Sequence, residues 1–274
     1  MKNILVPIDF SEHAEHALYM AASVARKVKA ELHLVHTLNM GDSHLLDEED
    51  DAIKAAPYIL AMEKRFSNYI QKPYLSDLKV GYSVRQKSVH EEIEEVIEEV
   101  NADLIVMGSH GSKGLQEFFI GTNTQKVVRN SKVPVMVIKS KMEGFQIENV
   151  VFACDFDAEN IESYKKAKMF FEKLEIEMKL LYVNTPDNFK STTKINNRIN
   201  EFFKLMDSTT DQPKVEIHDE YNVESGIMEY CKLVNASFIG IPTHGRKGLS
   251  HIFAGSIGED IVNHSEYPVI TFKI

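Results

Sequence analysis

Residues 105–122, IVMGSHGSKGLQEFFIGT, return at residues 239–256 as IGIPTHGRKGLSHIFAGS. His110, Gly111, Gly114, Leu115, Phe119 and Gly121 recur as His244, Gly245, Gly248, Leu249, Phe253 and Gly255, each pair 134 positions apart. No periodic core pattern forces identity across a loop, so this agreement points to a duplicated unit whose loop once had a specific task in both copies. Each copy follows an apolar run and precedes a capping-box pattern, TNTQ at 122–125 and SIGE at 256–259.

Working outward, residues 2–9 are an apolar run that stops at Asp9, and residues 149–155, NVVFACD, repeat it 146 positions later and stop at Asp155. Both have the composition of buried parallel strands. Ser11 is placed to cap a helix whose Ala14, Leu18, Ala21, Ala22, Ala25 and Val28 keep helical spacing. Further strands are predicted at 32–38, 80–85, 103–108 and 133–139, with second-copy counterparts at 178–183 and 267–273. SVHE at 88–91 is a third capping box, opening a helix with an apolar stripe at Ile93, Val96, Ile97 and Val100 and six glutamates assigned to its wet face. The offset falls from 146 to 134, so the first copy holds twelve more residues between its second and third strands, near the acidic run at 47–51. That run is expected to be a solvated loop or a helix entry.

Five alternations of strand and helix in each half predict two α/β domains of the doubly wound type, at 1–141 and 147–274, joined by a short linker near 140–147. With strands one and four adjacent, Asp9 and Gly108 emerge side by side at the switch point, where open α/β sheets bind ligands.

Composition narrows the function. A formal net charge of -10 argues against a nucleic-acid surface, and no apolar run reaches the roughly 18 to 20 residues that span a bilayer. The first residues lack the pattern of a secretory signal, so a cytoplasmic location is expected. Cys154 and Cys231 fall in periodic segments and are expected to be buried thiols. His13 and His16 stand one helical turn apart, while His33, His36, His90 and His218 are scattered, and no third ligand has a defensible spacing, so no metal site is expected.

The loop itself carries the chemistry. Gly108 and Gly111 would allow positive φ and close approach of a ligand to the main chain, and Gly121 precedes the expected cap Thr122, where amides and the helix dipole favour phosphate. Tight turns and a plain helix cap are the alternative use of the same residues. Asp9 caps the next helix or accepts hydrogen bonds from an adenine amine or ribose hydroxyl, and Asp155 holds the same place in the second half. His110 and His244 are candidates for loop contacts to phosphate.

The spacing Gly108-x2-Gly111-x9-Gly121-Thr122, together with the Val-Pro7-Ile-Asp9 and Val-Pro134-Val strands, resembles the ATP-binding branch of the universal stress protein family over nearly the whole chain. The resemblance implies five-stranded parallel sheets of order 3-2-1-4-5, two tandem copies paired as an internal pseudo-dimer, and an unknown protein partner, with further homodimerisation open. It implies that Pro7, Asp9 and Thr37 hold the adenine and ribose. Gly108, His110, Gly111, Gly121, Thr122 and Asn123 then serve the ribose and phosphates, with Mg²⁺ held through the phosphates. ATP, ADP or AMP could be the ligand. In the second copy Asp155, Gly245, Gly255 and Ser256 fit, but Pro242 replaces the first glycine, so weak binding or none is expected there.

No general base, arginine finger or GxxxxGK[ST] loop is evident, so at most slow ATP hydrolysis is expected. A nucleotide-independent tandem scaffold and a slow ATPase are the competing readings.

Overall fold

The structure, a computed structural model, describes residues 1–37, 48–85, 89–109, 121–140, 147–206, 212–243 and 261–274. They fall into two compact units. In the first, β1 (Asn3–Pro7) is followed by α1 (Glu12–Val28), β2 (Glu31–Thr37), α2 (Glu48–Tyr69), β3 (Val80–Arg85), α3 (Val89–Val100), β4 (Leu104–Gly108) and α4 (Thr122–Asn130). The strand order is β3-β2-β1-β4, and the pairs are parallel. β1 therefore sits at the switch point, with Ile4 opposite Leu104 on one side and Leu32 on the other.

α1 forms as its sequence dictates. The Ala14 amide donates to the Ser11 hydroxyl at 3.2 Å, Arg26 and Lys27 occupy the last turn, and Lys29 closes the helix in the left-handed region at φ 56°. Its buried face is largely alanine, Ala14, Ala17, Ala21, Ala22 and Ala25. So small a face lets the helix backbone lie close to the sheet. In α3 the stripe Ile93, Val96 and Ile97 is buried, but Glu92 is only 5% exposed and so does not belong to the wet face expected for it. It precedes Val96 by one turn and shares that inward side.

The second unit holds β5 (Val135–Ile138, through Val137), β6 (Asn149–Ala153), α5 (Ile161–Lys173), β7 (Glu177–Asn184), α6 (Thr192–Lys204), β8 (Val215–Asp219), α7 (Val223–Leu233), β9 (Phe238–Thr243) and β10 (Val269–Lys273). Its order is β5-β10-β9-β6-β7-β8, parallel except for the antiparallel pair β5–β10. The α/β class and parallel sheets are as expected, but the strand count per unit is not. β5 is buried along its length and pairs with β10, Val137 opposite Val269 and Val135 opposite Thr271. An apolar strand left at an edge would present unpaired backbone groups, and this pairing covers them, so compactness assigns β5 to the second unit.

The second core is aromatic where the first is aliphatic. Phe272 meets Phe152, Phe170 and Phe171 at ring distances of 6.2, 5.6 and 5.5 Å, and Gly240 makes room, since a Cβ there would lie 3.0 Å from the Phe152 ring. Nine of the twelve extra residues of the first copy are in α2, 22 residues against 13 in α6. Residues 48–51 of the acidic run enter α2, and Asp47 lies outside the described residues. Among the described residues no helix is long and apolar enough to cross a membrane.

Candidate functional site

At the end of β1 the chain leaves the sheet through a tight turn. Asp9 Oδ1 accepts the Ser11 amide at 2.9 Å, and Phe10 between them takes φ 61°, a left-handed conformation that the turn imposes on a bulky residue. The Phe10 ring is held by Phe66, Tyr69 and His36 at 5.0, 5.2 and 5.2 Å, with the Arg65 guanidinium 4.0 Å over its face. His36 Nδ1 lies 2.6 Å from the Ile8 carbonyl, which can only accept, so the proton is on Nδ1 and the end of β2 is bound to the end of β1. Pro7 faces Val35 across the β1–β2 ladder, and Thr37 ends β2 opposite Arg85. The Tyr69 hydroxyl is sealed from solvent without a hydrogen bond among the described residues. Burial, then the charges of Glu15 and Asp9, push its pKa upward.

β4 ends next to this turn. Gly108 does not take a positive φ, contrary to the sequence expectation; its glycine is required by packing, because a Cβ would lie 2.8 Å from the His13 carbonyl carbon and oxygen. The alanine face of α1 and Gly108 are thus two halves of one close approach. The Gly108 carbonyl accepts the Thr124 hydroxyl at 2.9 Å, and the Ser109 carbonyl accepts the Gly121 amide at 2.8 Å. These two bonds anchor the start of α4 at the end of β4.

The cap of α4 is Gly121 rather than Thr122, and no side chain caps it. Thr122 is already helical and cannot fold back on the amides that a cap would reach, while Thr124 spends its hydroxyl on Gly108. Helical geometry provides no acceptor for the amides of 122–124. Gly121 has φ -58° and ψ 143°, which any residue adopts, so conformation does not require glycine there. Thr122 and Asn123 are exposed. Pro7, Asp9, Gly108, Gly121, Thr122 and Asn123 thus gather at the carboxyl ends of β1 and β4, with Thr37 one strand further. His110 and Gly111 lie outside the described residues.

The second unit builds the same turn and then closes it. Asp155 Oδ1 accepts the Asp157 amide at 3.1 Å, and Phe156 takes φ 56°. Here the carboxylate is only 4% exposed: the Asn160 amide donates to Oδ1 at 2.6 Å, and Arg198 donates to the Asp155 carbonyl at 3.3 Å while pairing with Asp157 at 2.9 Å. Phe156 packs on Phe202 and Phe203 of α6. Burial raises the Asp155 carboxyl above the ordinary carboxylate range. Pro242 is buried in β9 opposite Phe272; Gly245, Gly255, Ser256 and His244 lie outside the described residues. Since Gly108 takes no positive φ, the conformational ground for the expectation about Pro242 falls away, and the burial of Asp155 is what distinguishes the second turn from the first. The Asp-Phe dipeptide at 9–10 and 155–156 was the available signal for the shared turn; the wall of His36, Arg65 and Tyr69 had none, because two of its members lie on the helix the second copy shortens.

The paired histidines are otherwise engaged. His13 Nδ1 donates to the Lys139 carbonyl at 3.2 Å and His16 Nε2 lies 3.6 Å from Glu12. Both cysteines are buried free thiols, and burial pushes Cys231 up to about 12.

Strand order, the switch-point turn and the duplicated architecture define a class of tandem α/β proteins, and comparison with known proteins agrees. The model of the universal stress protein family matches residues 1–139 and again 146–273. The chain belongs to that family. It is similar to universal stress protein MJ0577 of Methanocaldococcus jannaschii, 31% identical over 156 residues, covering 51% of this chain and 96% of that protein. Universal stress protein MJ0531 of the same organism is 26% identical over 149 residues, covering 50% and 82%. Each of these relatives spans one half of the chain. The crystal structure of a universal stress protein from Archaeoglobus fulgidus has the same fold over 99% of this chain and 98% of its own, with a TM-score of 0.72 and 22% identity.

Proposed function

We propose that the first unit binds an adenine nucleotide, ATP foremost with ADP and AMP as alternatives, and that this cytoplasmic protein acts as a regulator through its conformation or a protein partner. The observation that carries this reading is the start of α4: a glycine that conformation does not require, no side-chain cap, and two hydrogen bonds holding that helix end against β4 at the switch point. Helix amides and dipole suit phosphate, and the missing Cβ lets it approach. Asp9, half-buried beside the exit of β1, offers a carboxylate to the nucleoside, with Pro7 and Thr37 as its wall. From the sequence, His110 and Gly111 are assigned to the same phosphate site. Among the described residues of this site hydroxyls and amides accompany the single carboxylate of Asp9, which fits Mg²⁺ carried on the phosphates rather than held by the protein.

The described residues of the site offer position and charge, and on this reading hydrolysis is slow or nil. The two domains run over 1–141 and 147–274 and pair as an internal pseudo-dimer. The second site, through Asp155, Gly245, Gly255 and Ser256, binds weakly or not at all.

One observation favours the scaffold reading: Asp9 makes the same turn as the buried Asp155, so local structure alone accounts for an aspartate there. Replacing Gly121 by leucine separates the two. Loss of the ATP-induced rise in melting temperature, with the ligand-free melting temperature unchanged, supports binding at this helix end; no rise in either protein supports the scaffold, and an equal rise in both places the nucleotide away from Gly121.

A further inference from the structure

We propose that His218, Glu220 and Glu229 form a site for a divalent transition-metal ion of the zinc type, at the carboxyl end of β8 in the second unit. One ligand atom from each residue lies within 4.8 Å of the other two, and among the described residues this cluster alone brings together three such groups. Sequence spacing hides it: His218 is the penultimate residue of β8, Glu220 follows the strand, and Glu229 comes from the second turn of α7.

A second observation points to a ligand. Among the described residues His218 Nε2 is sealed from solvent and has no hydrogen-bond partner; a Glu229 carboxylate oxygen is 3.7 Å away, too far for a hydrogen bond. An unpaired buried imidazole nitrogen facing two carboxylates is what a missing cation would satisfy. Tetrahedral zinc with bonds of about 2.0–2.2 Å sets its ligand atoms roughly 3.3 Å apart, so the cluster needs only a modest contraction. Glu229 is 62% exposed and free to make it.

Packing fixes the other two ligands. His218 is paired with Val183 in the β7–β8 ladder and flanked by the Tyr230 ring at 6.2 Å. The Glu220 amide donates to the Asn184 carbonyl at 3.1 Å, and its carboxylate accepts the Tyr221 amide at 2.7 Å, leaving a second oxygen for metal. α7 lies so close that a Cβ on Gly226 would be 2.6 Å from Val183 Cγ1 and 3.2 Å from Glu220 Cβ. One imidazole with two carboxylates favours Zn²⁺, Co²⁺ or Mn²⁺ over Mg²⁺ and Ca²⁺, which prefer all-oxygen shells. Three protein ligands leave a position for water. Bound metal would tie the outer strand to α7.

The test is titration of the metal-free full chain with Zn²⁺ by calorimetry and with Co²⁺ by visible absorption. One equivalent is expected, with a Co²⁺ spectrum that millimolar Mg²⁺ leaves unchanged. H218A and E229Q should each weaken that equivalent at least about tenfold, while the paired variant H13A/H16A keeps it. E229Q alters a largely exposed side chain and keeps the test valid if H218A does not fold. No stoichiometric Zn²⁺ binding, or an equivalent that survives E229Q, overturns the proposal and leaves only a surface histidine–glutamate pair.

Discussion

Asp9 and Asp155 end equivalent strands, accept the amide two residues on, and are each followed by a phenylalanine with φ near 60°, yet one is half-buried and the other 4% exposed. The difference lies in what packs over the turn. In the second unit Asn160 and Arg198 bond the aspartate directly, and Phe202 and Phe203 of α6 fill the space beside it. In the first, the longer α2 places Phe66, Tyr69 and Arg65 around Phe10, and Asp9 is half-buried. The turn belongs to the fold, and the covering elements decide whether it can serve a ligand.

The largest effect that sharpens this contrast is expected at Gly108. G108A drives a Cβ into the His13 backbone, which cannot yield as a flexible side chain would, and should cost about 3 kcal/mol in urea unfolding. A loss under about 0.5 kcal/mol would mean that α1 does not sit so close to β4. In the second unit D155A should cost about 2 kcal/mol, because the Asn160 amide is left buried without its acceptor.

D155N keeps an acceptor oxygen and should behave differently. Burial raises the folded carboxyl above its unfolded value, so the proton is held more tightly in the fold. That contribution is fully present below the unfolded value near about 3.9 and fades as pH climbs through the folded one. D155N should remove this slope and match or exceed the parent at pH 7; unfolding curves from pH 4 to 8 check it. An unchanged slope would show that Asp155 is ionised at no cost.

For the first aspartate the expected effect is on binding. D9A should weaken ATP by about 2 kcal/mol, roughly 30-fold, in a fluorescence or calorimetric titration, whereas D155A should leave ATP affinity alone. Equal losses would erase the distinction between the two crevices. Smallest are the helix caps: S11A and S191A, each removing an acceptor from a helix amide, should cost about 1 kcal/mol apiece.

Much of this was legible because periodicity and duplication report on buried elements. Strand β3 falls at 80–85 as read, Ser11 caps α1, and the excess of the first copy sits between β2 and β3. Gly108 was read for backbone freedom, whereas the structure gives its glycine a packing cause, the approach of His13, ninety-five residues earlier in the sequence. Thr122 was misassigned as a cap because the Thr-x-x-Gln pattern does not reveal that the preceding glycine takes the cap position. β5 falls inside the stretch read as 133–139, while its antiparallel partner β10 comes from the other copy, and no pattern within 135–138 announces that pairing. The His218 cluster, like the sealing of Asp155 by Asn160 and Arg198, depends on side chains from separate elements and has no local spacing to read.

The most direct measurement is the stoichiometry of ATP binding to the nucleotide-free chain by calorimetry. The account predicts one ATP per chain, abolished by a leucine at Gly121 and untouched by changes at Asp155. Two equivalents would contradict the closure of the second crevice, and none would contradict the binding role of the first.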